Sequence, residues 1–157
     1  MKKTHLFVLL LILGIGFGFT PKETVSDKVV AFCKQNMDKK VDRGECWDLA
    51  RFALDFAGAD WQSPHDFGTK VDYKTEKLKP GDILQMENIT FSWTEGDNTF
   101  TAMFPHHTAI VYEVKENGNI VMAHQNFNNV RKVSTLEISL SSIQKGDLQA
   151  YRPKAKA

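Results

Sequence analysis

Apolar residues recur at helical spacing twice in the first third of the chain. Val29, Val30, Cys33 and Met37 form one stripe, with Ser26 ahead of them as an N-cap, which predicts a helix over 26–39. "VDRGE" breaks it. Leu49, Ala50, Ala53, Leu54 and Ala57 form a second stripe, predicting a helix over 46–56 with Gly58 as a left-handed cap. Residues 59–79 read as a long loop containing Pro64, His65 and Gly68. After Pro80 the pattern turns to strands. "DILQMENITFSW", "HTAIVYEV", "IVMAHQN", "VRKVSTLEISL" and "LQAYRP" each read as strand, and "KENGN" reads as the turn between the second and third. The segment "ENITFSWTEGDNTFTAMFPHH" looks longer than a tight hairpin and able to overhang a cleft. Helices first and strands later, joined by short turns, predict an α+β fold: N-terminal helices on an antiparallel sheet of about five to six strands.

Composition narrows the function classes. The 157 residues are 42% hydrophobic and 25% charged, which suits one globular domain, placed here at 26–153. The formal net charge is +1 without a long basic block, which argues against nucleic acid as the partner. Lys2 and Lys3 precede an apolar run over 6–19. That run is shorter than the roughly 20 residues of a membrane span. It reads as a signal peptide over 1–20, or as an uncleaved anchor, and predicts a secreted or periplasmic domain. The membrane enters only through that segment, and a monomer is expected.

The two cysteines read differently. Cys33 sits on the apolar stripe of the first helix and reads as a buried core residue, with a disulfide to Cys46 as the alternative. Cys46 begins the second helix, where unpaired N–H groups and partial positive charge favour a thiolate. Glu45 beside it opposes this if it stays charged and close. A nucleophilic thiol needs a base, and His106, His107 and His124 lie on two strands of one hairpin. A turn centred on Asn117 and Gly118 puts His107 opposite 128–130 and His124 within two residues of Val111. A polar group must orient the base, and His124, Gln125 and Asn126 each offer one. A zinc set of Cys46, His107 and His124 is the alternative, but no C-x-x-C or H-x-x-x-H spacing supports it, and no cofactor is expected. Trp47, Trp61, Trp93 and Phe104 are aromatics that either line a cleft or pack in the core.

"GECWDLA", "KPGDILQM" and "HHTAIVYEVKENGNIVMAHQN", in that order, resemble the blocks of the NlpC/P60 and CHAP superfamily of papain-like cysteine peptidases and amidases. The resemblance covers roughly 42–130. It implies a papain-like fold with Cys46 as nucleophile, His107 as base and His124 or Asn126 as the third member. Trp47, Trp61, Trp93 and Gln125 are the candidate substrate contacts, and the resemblance and the compartment together imply an amide bond in peptidoglycan or another peptide as the target. The alternatives are a non-catalytic wall- or protein-binding module on the same fold, and a thiol acyltransferase or effector amidase.

Overall fold

The computed structural model describes residues 22–62 and 66–156. The predicted signal segment and His65 lie outside the described residues. Helix α1 spans Val25–Gln35 and helix α2 spans Cys46–Ala57. Six strands follow: β1 (Thr69–Val71), β2 (Ile83–Glu95), β3 (Asn98–Val114), β4 (Ile120–His124), β5 (Ser134–Ile138) and β6 (Ile143–Arg152). They form one antiparallel sheet in the order β1-β6-β2-β3-β4-β5. The expected α+β architecture is what the chain adopts.

Local chemistry explains where the boundaries moved. Thr24, not Ser26, caps α1: its hydroxyl accepts the Asp27 N–H, and the Asp27 carboxylate accepts the Thr24 N–H in return. The helix stops at Gln35 because the Asn36 side chain donates to the Phe32 carbonyl and Met37 turns aside to pair with Val133. Gly58 ends α2 at φ 66°, as its position predicts. The long loop contains β1, a three-residue strand too short to show a period. Between β2 and β3 the connection is a tight turn, with Glu95 paired to Asn98, so the segment read as an overhanging loop is a long two-stranded arm.

Two apolar clusters lie on opposite faces of the sheet. Leu84, Met86, Phe91, Phe104, Val111 and Met122 fill one. Ile83, Ile110 and Ala123 face the other way and meet the helices through Val29, Cys33, Leu49, Ala53 and Leu54. Alternation along β2, β3 and β4 produces this split, since neighbouring residues point to opposite faces. The helices thus pack by an apolar face with little polar interruption, and α2 lies against β3 with its first residue at the β3 backbone. That contact positions the candidate site. Among the described residues no helix is long and apolar enough to cross a membrane.

Candidate active site

Cys46 is the first residue of α2. The backbone N–H groups of Thr108, Trp47 and Cys46 itself are directed at its sulfur. Two of these are the orphan donors of a helix start. The third comes from β3, one residue past His107, so the thiol lies beside the strand that carries the predicted base. The hairpin brings His107 and His124 together, with His107 Nε2 3.0 Å from His124 Nδ1. Both are nearly sealed from solvent, at 4% and 1% exposure. His124 falls level with Ala109, within two residues of Val111 as expected, whereas His107 falls level with 126 and not with 128–130. Ile110 pairs with Ala123 and Val111 with Met122, because a bulge at Tyr112 shifts the pairing by one residue.

Burial sets the electrostatics of the site. It pushes the Cys46 thiol above its ordinary value; the N–H groups of Thr108 and Trp47 oppose the shift and the Glu45 charge adds to it. The helix start therefore does not yield the lowered thiol pKa expected from position alone, because desolvation of the anion outweighs the nearby N–H dipoles. Burial likewise pushes His107 down to about 3, with the charges of His124 and His106 adding, and pushes His124 down to about 4. At neutral pH the thiol and both imidazoles rest neutral.

Two phenylalanines surround the imidazole pair. The Phe104 ring centroid lies 4.8 Å from that of His107, and Phe127 stacks on Phe104 at 4.7 Å while lying 5.4 Å from His124. Phe104, Phe127, His106, His107, Asn126 and Asn128 line part of a cavity of about 250 Å³ beside the base. Sequence reasoning noticed Phe104 but missed Phe127, which lies past the end of β4 where no period marks it.

The remaining predicted residues separate into different jobs. Asn126 does not reach the base: its Nδ2 donates to Glu45 Oε2 at 2.5 Å. Of the proposed orienting groups, His124 is the one at His107. Gln125 is fully buried and clamps the loop before α2. Its Oε1 accepts the Val41 N–H, and its Nε2 donates to the carbonyls of Val41 and Glu45. With its carboxamide used in this way it is a structural clamp, not a substrate contact. Trp47 packs on Trp61 and Phe67, with ring centroids 5.7 and 5.4 Å away, against the helix-side core. Trp61 Nε1 donates to Asp55. Trp93 lies out on the β2–β3 arm, stacked on Phe100 and bonded to Glu95. Eight residues of strand, roughly 25 Å, separate it from Gln85, the partner of Thr108. The three tryptophans do not share a cleft.

Both thiols are free, and Cys33 is buried in α1, so the disulfide alternative does not hold. Nor does the zinc alternative. His107 Nε2 and His124 Nδ1 face each other in one hydrogen bond instead of converging on an ion, and among the described residues no three His, Cys, Asp or Glu side chains gather as a metal site.

Comparison with known proteins agrees with this architecture. Two solved structures of Ly7917 share the fold. One is titled as the crystal structure of Ly7917 with the hydrolyzing product of MDP, with TM-score 0.55 and 17% identity over 82% of this chain and 62% of that one. The other has TM-score 0.54 and 16% identity over 82% and 63%. The chain is 31% identical over 143 residues to Altered inheritance of mitochondria protein 3 of Debaryomyces hansenii, covering 80% of this chain. It spans only 15% of that protein's length. A family model for the AIM3/BBC1 cysteine proteinase-fold domain matches residues 20–157. The papain-like character read from the motifs holds, and the family differs from the NlpC/P60 and CHAP groups those motifs resemble: the chain belongs to the AIM3/BBC1 cysteine proteinase-fold domain family.

Proposed function

We propose that this domain is a cysteine hydrolase of amide bonds. The observation that carries the reading is the His107–His124 hydrogen bond on the strand pair at which the first residue of α2 places its thiol. For His107 to act as base, its Nε2 must carry a proton and donate it to His124 Nδ1. His107 Nδ1 is then the nitrogen left to accept the Cys46 proton. Because thiol and imidazole rest neutral, proton transfer accompanies attack instead of preceding it. The sulfur adds to the carbonyl carbon while Nδ1 takes its proton. The helix-start N–H groups of Cys46 and Trp47 face the developing oxyanion. The tetrahedral intermediate collapses as His107 returns the proton to the leaving amine, and water then hydrolyses the thioester by the same route.

The substrate proposed is a peptide amide, with a peptidoglycan fragment as one member of the class. The motif resemblance supports it, as does the Ly7917 title, which names a hydrolyzing product of MDP for that protein. The extracytoplasmic location and the monomeric state are further proposals, resting on the apolar run over 6–19 and on composition. A second reading, a binding module without turnover, draws on the raised thiol pKa and on a relative named for mitochondrial inheritance. Digests of peptide libraries and muropeptides, followed by mass spectrometry, separate the two. Turnover that disappears in Cys46→Ala supports the hydrolase. Turnover unchanged in Cys46→Ala removes the nucleophile assignment, and no turnover by the wild type on either substrate set favours the binding module.

A further inference from the structure

Glu45 immediately precedes the nucleophile, and its charge raises the thiol pKa. The Asp48 carboxylate caps the Glu45 N–H at 3.0 Å, while the Glu45 side chain turns outward to the segment 125–133. There Oε1 pairs with Arg131 Nη1 at 2.6 Å and Oε2 accepts from Asn126.

That segment is strapped firmly across the start of α2. Gln125 holds Val41 and the Glu45 carbonyl, and Val133 exchanges backbone hydrogen bonds with Asp38 and Lys39. Arg131 lies directly on Gly44, where an added Cβ would meet the Arg131 Cβ at 2.9 Å and its carbonyl oxygen at 3.0 Å. Side chains larger than hydrogen are shut out of Gly44 by this contact and by its φ of +86°. Arg131 Nη1 also reaches the Arg43 carbonyl. The charges near the thiol on its own side are therefore few. Asp48 is neutralised by Arg43, and Glu45 by Arg131. On β3 and β4 the imidazoles of His107 and His124 rest neutral.

We infer that Arg131 is a positioning residue for Cys46: by holding and neutralising the Glu45 carboxylate, it keeps that charge from suppressing the thiolate. The inference deepens the hydrolase reading and rests on Cys46 being its nucleophile. It makes the strap, an element remote in sequence, a control on thiol reactivity. The energy involved is that of a half-exposed ion pair, so the effect is modest and screened by salt.

The test is the pH profile of Cys46 alkylation by iodoacetamide in the native full chain, read by mass mapping of the Cys46 peptide. Arg131→Met keeps the aliphatic stem and removes the charge. It shifts the profile to higher pH and slows labelling at fixed neutral pH about threefold, the size expected of a screened pair. Arg131→Lys restores most of the rate. Glu45→Gln shifts the profile to lower pH, and in the Glu45→Gln background Arg131→Met has no further effect. A merely structural Arg131 would slow or speed labelling in both backgrounds alike, and that result overturns the inference, as does an unchanged profile in Glu45→Gln. If Arg131→Met does not fold, the Glu45→Gln profile still decides. The readout needs no substrate turnover, so the clamp can hold while hydrolysis fails, and hydrolysis can hold while the clamp fails.

Discussion

Cys33 and Cys46 are the same residue in two helices that pack on each other, and burial raises both thiols, yet their surroundings differ. Cys33 lies in the last turn of α1, where its carbonyl accepts the Asn36 N–H. It is sealed among Val29, Leu49, Ala53 and Leu54, and burial pushes its thiol up to about 12. Cys46 is also desolvated, but it opens a helix, so N–H groups of its own turn and of Thr108 offset part of that penalty. Part of the difference is burial, since Cys33 is sealed and Cys46 only half-buried. The rest is the number of backbone donors at the sulfur, one at Cys33 and three at Cys46.

Turnover should separate the two most widely. Cys46→Ala should abolish hydrolysis, by a factor on the order of a thousand or more, while Cys33→Ala leaves kcat within about twofold and costs on the order of 1 kcal/mol of stability. Loss of activity in both, with both folded, would erase the contrast. Next in size, removing the base by His107→Ala should lower kcat/KM about a hundredfold or more. His124→Phe should have a smaller effect, because it leaves the base but not its tautomer. Equal effects would mean that His124 does more than orient.

The clamp on the nucleophile's loop is sharpened by Gln125→Ala. It strands the Val41 N–H in a buried place, while the Val41 and Glu45 carbonyls keep their bonds from the Gly44 and Asp48 N–H groups, and should cost about 2 kcal/mol in urea denaturation. A loss below about 0.5 kcal/mol would show that water replaces the carboxamide and that the loop is held otherwise. The smallest expected effect is on pH dependence. Both imidazoles have folded-state pKa values depressed from 6.5, to about 3 and about 4. The unfolded chain therefore binds more protons between those limits. Their contribution to stability is complete above pH 6.5 and is lost as pH falls through 4 towards 3. His124→Phe should flatten the fall of Tm between pH 6.5 and 4 relative to wild type. An identical fall would place the acid sensitivity elsewhere.

Much of the helix side of this comparison was legible in the sequence. The two apolar stripes placed both cysteines on helices, and period-two runs plus the "KENGN" turn placed His107 and His124 on neighbouring strands. Other features were not legible, for physical reasons. The direction of the Cys46 shift depends on how deeply the sulfur is buried against β3, which no local pattern encodes. The roles of Gln125 and Asn126 depend on contacts to residues more than 80 positions away. Near the base, the three tryptophans looked like cleft residues by type, but Trp47 and Trp61 fill the helix-side core and Trp93 belongs to the arm. His107 came level with 126 instead of 128–130 in part because a bulge at Tyr112 leaves no mark in an otherwise regular run.

The most direct measurement is the second-order rate of Cys46 alkylation in native wild type and in native His107→Ala, with both cysteine peptides mapped by mass. Cys46 should label in the native protein while Cys33 labels only after unfolding, and the Cys46 rate should drop at least about tenfold in His107→Ala. A Cys46 rate that is the same in His107→Ala would contradict that prediction. The thiol at the start of α2 would then be a half-buried cysteine next to a histidine pair, and not a nucleophile activated by one.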